Sequence, residues 1–383
     1  MIFTIIPALF AAFIVWRFVP ELPIGRNWKI LIALIIVLIS QWGLITNLFG
    51  GMASPEVPKY VIILAGWATG TFILLLCFLI FKDIISIILW TGAKIGMWST
   101  KLRLSWHWGV GLCGLAIILS LIGTWQGIRV PDIKQVHINV RHLPKALDGF
   151  RIVQLTDLHA SQLMNAEWTR AVVNKTNRLN PDLILITGDL VDGLTVNRTN
   201  DVAPYKDLSA RLGVYIVTGN HEYYSNYLSW MQYFKNMGLH ILNNEHVVLN
   251  DHGQKIVLAG TTDRVASQFG LPEPNIQKAL TGKPKDTPVI LMAHQPKGAN
   301  KNAAAEVDLQ LSGHTHGGQV FGIHWLNQWM NDGYVSGLYN VDGMQLYVSN
   351  GTGLWNGFLI RLGKPSEITE LILHPADNTM INE

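Results

Sequence analysis

The chain has 383 residues, enough for two or three domains, and a formal net charge of +3. The charge is uneven: residues 1–125 hold eight Lys/Arg and three acids, whereas residues 126–383 hold 21 and 23. The rear part is thus near neutral, which argues against the basic surface that nucleic-acid binding needs.

In the front part, four segments have the ~20 apolar residues needed to cross a bilayer. They run from about Ile2 to Val19, Ile30 to Gly50, Tyr60 to Phe81 and His107 to Trp125. Nine of the 14 Trp lie in this region, many near segment ends, as in membrane-spanning helices. Polar cover is too sparse for buried helices of a soluble core. The start lacks the basic n-region of a cleaved signal peptide. Residues 84–98 are apolar only briefly before Lys94 and read as an interfacial helix rather than a fifth crossing. Both cysteines, Cys77 and Cys113, fall within expected spans and say nothing about compartment.

Orientation follows from basic loops. Arg26 and Lys29 follow the first span, and Lys82, Lys94, Lys101 and Arg103 follow the third. Between spans two and three only Lys59 stands, offset by Glu56. Four crossings then leave both termini, and the rear domain, outside the cytoplasm. Arg129, Lys134, Arg141 and Lys145, after the last span, pull the other way.

The expected organisation is a four-helix transmembrane region (1–125), a linker and first-strand lead-in (126–150), and an α/β domain (151–383). Apolar, β-rich runs occur at 151–156, 183–187, 214–218, 256–260, 289–293 and 308–312. Helical patterns lie at about 166–179, 201–212, 226–237 and 273–281, and 319–373 reads as largely strand-like. Strand–helix alternation followed by strands implies sheets covered by helices.

Five motifs sit just past apolar strands, where open α/β sheets bind ligands. They are Asp157-Leu158-His159, Gly188-Asp189-Leu190-Val191-Asp192, Gly219-Asn220-His221-Glu222, Ala293-His294 and Gly313-His314-Thr315-His316-Gly317-Gly318-Gln319. The first two are weak alone, since Gly-Asp is ordinary turn chemistry, and His294 alone reads as a core or surface histidine. The last is strong, because two His two residues apart after a strand point to one side. Together they supply carboxylate, imidazole and amide donors, which suit divalent Mn, Fe, Zn or Co. No thiolate is available for a Cys-rich zinc site. Two cations could clamp an in-line displacement at phosphorus, with Asp189 as the natural bridge.

On these motifs the sequence resembles the calcineurin-like metallophosphoesterase superfamily, and most of all its bacterial membrane-associated branch, over roughly Val136 to Leu373. The resemblance implies a two-sheet sandwich flanked by helices. It implies that Asp157, His159, Asp189 and His316 hold one metal, and Asp189, Asn220, His294 and His314 the other. His221 would protonate the leaving oxygen, with Asp192 and Glu222 orienting it or the ligands. Relatives often carry a basic residue at the Asn350 position of Val348-Ser349-Asn350-Gly351-Thr352-Gly353.

The stretch Phe321–Asn331, with His324, Trp325 and Trp329, is unusually aromatic. It reads equally as a hairpin packed on its own domain or as an apolar lip that touches lipid. The expectation is a membrane-anchored phosphoesterase of phosphodiesterase type, with manganese among its candidate metals, acting on a lipid or cell-envelope substrate. Its partners are then membrane lipids and not nucleic acid. The rivals are a non-catalytic membrane sensor or scaffold, and a cytoplasm-facing hydrolase of a nucleotide-linked lipid precursor.

Overall fold

The structure, a computed structural model, describes residues 2–51, 53–97 and 106–376. The chain divides into two compact units: residues 1–126 with 356–360, and residues 127–355 with 361–383.

In the first unit, three helices among the described residues are long and apolar enough to cross a membrane: Thr4–Glu21, Lys59–Lys94 and Trp106–Ile128. The second expected span is divided. One helix runs from Arg26 to Ser40, Gln41 leaves helical geometry, and a short helix follows at Trp42–Asn47. Residues 84–94 are not a separate interfacial helix. They continue the third span into one 36-residue helix, Lys59–Lys94, because no Pro interrupts it and Lys94 sits favourably in its last turn. Lys82 is therefore not a loop residue. It is buried within that helix and bonds Glu21 at 2.7 Å, beside an Arg17–Asp83 pair. Lys101 and Arg103, which the orientation argument used, lie outside the described residues. Two polar groups between apolar helices find carbonyl partners: Ser120 Oγ donates to the Trp67 carbonyl, and Trp67 Nε1 to that of Ile117.

The second unit is a sandwich of two six-stranded sheets. In chain order the strands are β1 (Asp132–Val140), β2 (Phe150–Leu155), β3 (Leu183–Thr187), β4 (Val214–Val217), β5 (His240–Ile241), β6 (Glu245–Asp251), β7 (Gln254–Gly260), β8 (Val289–Met292), β9 (Leu309–Ser312), β10 (Gly337–Val341), β11 (Met344–Val348) and β12 (Glu367–Pro375). One sheet has the order β1-β12-β2-β3-β4-β5, the other β10-β11-β9-β8-β7-β6. Ile152, Leu185 and Val217 of the first meet Leu258, Met292 and Leu311 of the second in one buried core. That burial supplies the main drive to fold.

Residues 126–150 are more than a linker. β1 pairs in parallel with β12 along nine residues, and Ile138, Val140, Leu143 and Leu147 join the core. The helix expected at 201–212 lies earlier, at Thr195–Val202, and passes into a 3-10 turn at Ala203–Asp207. Pro204 explains the shift, since proline in a helix interior removes a hydrogen bond and clashes with the preceding turn. The reading of 319–373 as strands holds for β10 to β12 but not for His324–Met330, which is helical.

Candidate metal centre

β2, β3 and β4 are parallel neighbours, as are β8 and β9. Their carboxyl ends therefore open on one edge of the sandwich. Thr156-Asp157 follows β2, Gly188-Asp189 follows β3, and Thr218-Gly219-Asn220 follows β4. Ala293-His294 follows β8 and Gly313-His314 follows β9. The loops knit to one another through the backbone. Asp157 N–H donates to the Gly188 carbonyl at 3.0 Å, His159 N–H to that of Asp189 at 3.0 Å, and Gly313 N–H to that of His294 at 2.8 Å.

Five of the seven expected ligands, Asp157, His159, Asp189, His314 and His316, have φ between 45° and 70°. Side chains other than Gly rarely adopt that region, and clusters of such residues mark functional sites. Two glycines let the loops close. A Cβ on Gly313 would stand 2.1 Å from Thr156 Oγ1 and 2.4 Å from Asp157 Oδ2. On Gly188, at φ 94°, it would stand 2.6 Å from His294 Nδ1.

The ligand candidates converge in three overlapping groups, each with donor atoms within 4.8 Å of one another: Asp157, His159 and His316; His159, Asp189 and His221; and Asp189, His294 and His314. Asp189 Oδ2 lies 3.2 Å from His294 Nε2 and 3.7 Å from His159 Nε2. Asn220 Oδ1 lies 3.2 Å from the same His294 nitrogen. The donors are carboxylate, imidazole and amide, all but His314 buried. This set fits two borderline divalent cations sharing Asp189.

Orienting contacts fix the rings. His159 Nδ1 bonds Asp192 Oδ1 at 3.1 Å, and His221 Nδ1 bonds the same oxygen at 2.6 Å. Both rings thereby direct Nε2 inward. His294 Nδ1 donates to the Thr187 carbonyl at 2.8 Å. Glu222 accepts from the backbone N–H of Asp189, Leu190, Val191 and Gly219. Burial pushes its carboxyl up to about 8, against the pull of those donors.

Charge balance also marks the site. Burial works against ionisation of Asp189, yet His294 and His221 outweigh it and hold the carboxyl well below its ordinary range. Burial likewise opposes charge on His221, but Asp189 and Asp192 raise it to about 9. His314 is lowered to about 3, first by burial and then by His294.

All ten expected site residues are in this cluster: Asp157, His159, Asp189, Asp192, Asn220, His221, Glu222, His294, His314 and His316. Sequence reasoning missed Arg361. Its fully buried guanidinium donates to the carbonyls of His316, Asn350 and Gly353 and lies 3.2 Å from His316 Nδ1. A cation flanked by Leu359, Ile360 and Leu362 was the available signal. Asn350 itself bonds Ser336 and the Pro365 carbonyl, so it braces the loop. Gln154, a polar residue in β2, was also missed. It spans the core from Thr187 Oγ1 to the Ser312 carbonyl.

Residues 150–318 match the calcineurin-like phosphoesterase family. Over 366 residues the chain is 31% identical to a bovine "transmembrane protein with metallophosphoesterase domain", covering 91% of this chain and 81% of that one. A zebrafish protein of the same description is 34% identical over 271 residues, covering 68% of this chain and 62% of its own. An "uncharacterized metallophosphoesterase" of Helicobacter pylori is 36% identical over 255 residues, covering 66% of each.

Proposed function

The chain belongs to the calcineurin-like metallophosphoesterases, hydrolases of phosphoric esters, and we propose that it is membrane-anchored and cleaves a lipid-borne or cell-envelope phosphoester outside the cytoplasm. The observation that carries the reading is Asp189, whose Oδ2 lies 3.7 Å from His159 Nε2 and 3.2 Å from His294 Nε2 and so can serve two cations.

Asp157, His159, Asp189 and His316 would hold one ion, and Asp189, Asn220, His294 and His314 the other, with Mn, Fe, Zn or Co as candidates. Bound there, the pair would supply Lewis-acid neutralisation of charge developing at phosphorus. The chain's own residues supply the proton. His221 presents Nε2 toward the centre while Asp192 holds Nδ1 at 2.6 Å, an arrangement suited to protonating a leaving oxygen. Glu222 keeps the loop bearing Asp189 in place through its four backbone contacts.

Membrane anchoring is supported by the three long apolar helices. Lipid contact is supported by the helix His324–Met330, which buries none of its residues. Phe321, Trp325 and Trp329 are 70%, 63% and 81% exposed, so they are not a stripe packed on the domain's own core. Exposed Trp and Phe suit the headgroup boundary of a bilayer. The extracytoplasmic side rests on Arg26, Lys29, Lys94, Lys101 and Arg103. The complete ligand set disfavours a non-catalytic scaffold. The test is turnover by the purified, metal-supplemented full chain on phospholipid and soluble phosphoesters. No hydrolysis with any of the four metals would overturn the reading.

A further inference from the structure

We infer that Phe269, Trp355 and Tyr224 form the subsite for the leaving group, and that this group is an alcohol with a hydrocarbon body. The inference rests on the hydrolase reading, in which the leaving oxygen takes its proton from His221 Nε2 and so lies against that ring. Beyond the carboxylates that hold it, that ring is flanked by aromatic side chains. Tyr224 lies 5.5 Å from it, centroid to centroid, and Trp355 6.1 Å. Phe269 extends the surface, 6.0 Å from Tyr224.

These rings come from three separate segments. Tyr224 closes the short helix Asn220–Tyr224, Phe269 closes the 3-10 turn Arg264–Phe269, and Trp355 follows the buried Leu354. Convergence from three segments is not the spacing of one amphipathic element. Tyr224 and Phe269 leave 55% and 47% of their surface in water. Covering such carbon with an apolar ligand is favourable.

The angles narrow the choice further. His221 meets Tyr224 at 62° and Trp355 at 69°, and Tyr224 meets Phe269 at 52°. Steeply inclined rings make a rounded wall. Within each of these three pairs the faces are not parallel, so a flat base cannot stack on both members at once. A flexible chain fits the wall better than a nucleobase.

Tyr224 shares the short helix Asn220–Tyr224 with a candidate ligand, so it stays unchanged in the test. Phe269→Ala with Trp355→Ala, in the full-length protein, isolates the subsite. The substrates are methyl phosphodiesters of ethanol and of decanol. Their leaving groups have similar acidity, so the comparison reads contact rather than protonation. Wild type should favour the decyl ester in kcat/KM by at least about tenfold, the scale of burying two or more methylenes. The double variant should bring the two esters within about twofold, by lowering kcat/KM for the decyl ester far more than for the ethyl ester, with metal content unchanged. Equal use of both esters by wild type, survival of the preference in the variant, or a stronger preference for a nucleoside ester would overturn the proposal. Calorimetry with decylphosphonate against ethylphosphonate makes the same comparison without turnover. If no ester is hydrolysed the hydrolase reading fails, and equal binding of the two phosphonates would then overturn the subsite on its own.

Discussion

Asp192 and His221 are joined by the shortest contact between motif side chains, 2.6 Å from carboxylate Oδ1 to ring Nδ1, and the same oxygen also takes His159 Nδ1. One carboxylate thus sets the orientation of a candidate metal ligand and of the candidate acid. Asp192→Asn keeps the shape but puts a neutral oxygen, or an N–H donor, where two rings need a carboxylate. Metal affinity and kcat should both fall about 10–100-fold, the usual effect of losing such a partner. Metal titration beside steady-state kinetics checks this, and a loss confined to kcat would free His159 from dependence on Asp192.

His221→Ala separates acid from ligand. Turnover of alkyl esters should drop about 10²–10⁴-fold, while 4-nitrophenyl esters, which need less protonation, suffer less. Elemental analysis should find both metals still bound. Equal losses on the two ester types would remove His221 from the acid role.

Asp189 should behave unlike any other ligand. Asp189→Ala removes the carboxylate that faces both His159 and His294, so most of both metals should be lost, whereas His316→Ala should cost chiefly one. Metal counting by mass spectrometry decides, and full retention in Asp189→Ala would rule out the shared carboxylate.

Gly313→Ala tests the close approach of the β9 loop to β2. Its Cβ would meet Thr156 Oγ1 and Asp157 Oδ2 far inside contact distance. The variant should lose about 1–3 kcal/mol of stability, as overpacking does. Chemical denaturation of the apoprotein measures it, and an unchanged midpoint would mean that the loops yield freely.

Topology can be read with a reporter active only outside the cytoplasm. Fused at the C-terminus it should be active, and placed between residues 94 and 103 it should be silent. A silent C-terminal fusion would mean an odd number of crossings, with the helix broken at Gln41 as the element that turns back.

Much of the second unit was legible in the sequence because its strands are buried on both faces. Leu183–Thr187 and Val289–Met292 read as continuous apolar runs and were placed within a residue. The ligands followed, since each stands just past such a run. Edge elements were harder to read. β6 holds only three apolar residues, Val247 to Leu249, between polar ends, and β1 is mostly exposed, so neither carries a strong apolar signal. Arg361 was illegible for another reason: its partners His316 and Asn350 are supplied by the tertiary fold, and no local pattern encodes them. The long helix Lys59–Lys94 was cut short because Lys82 and Asp83 looked like a loop, when each charge has a partner on another segment.

Those two ion pairs bear on what the first unit can do. Arg17 and Glu21 stand one helical turn apart along the first span and its exit, and they meet the adjacent Asp83 and Lys82. A piston-like slide of the first helix by one turn, ~5.4 Å, would strand four charges beside lipid at once. Removing one member of such a pair in an apolar setting is already costly. The first and third helices are therefore clamped in a single register, which suits a fixed mount better than a moving transducer.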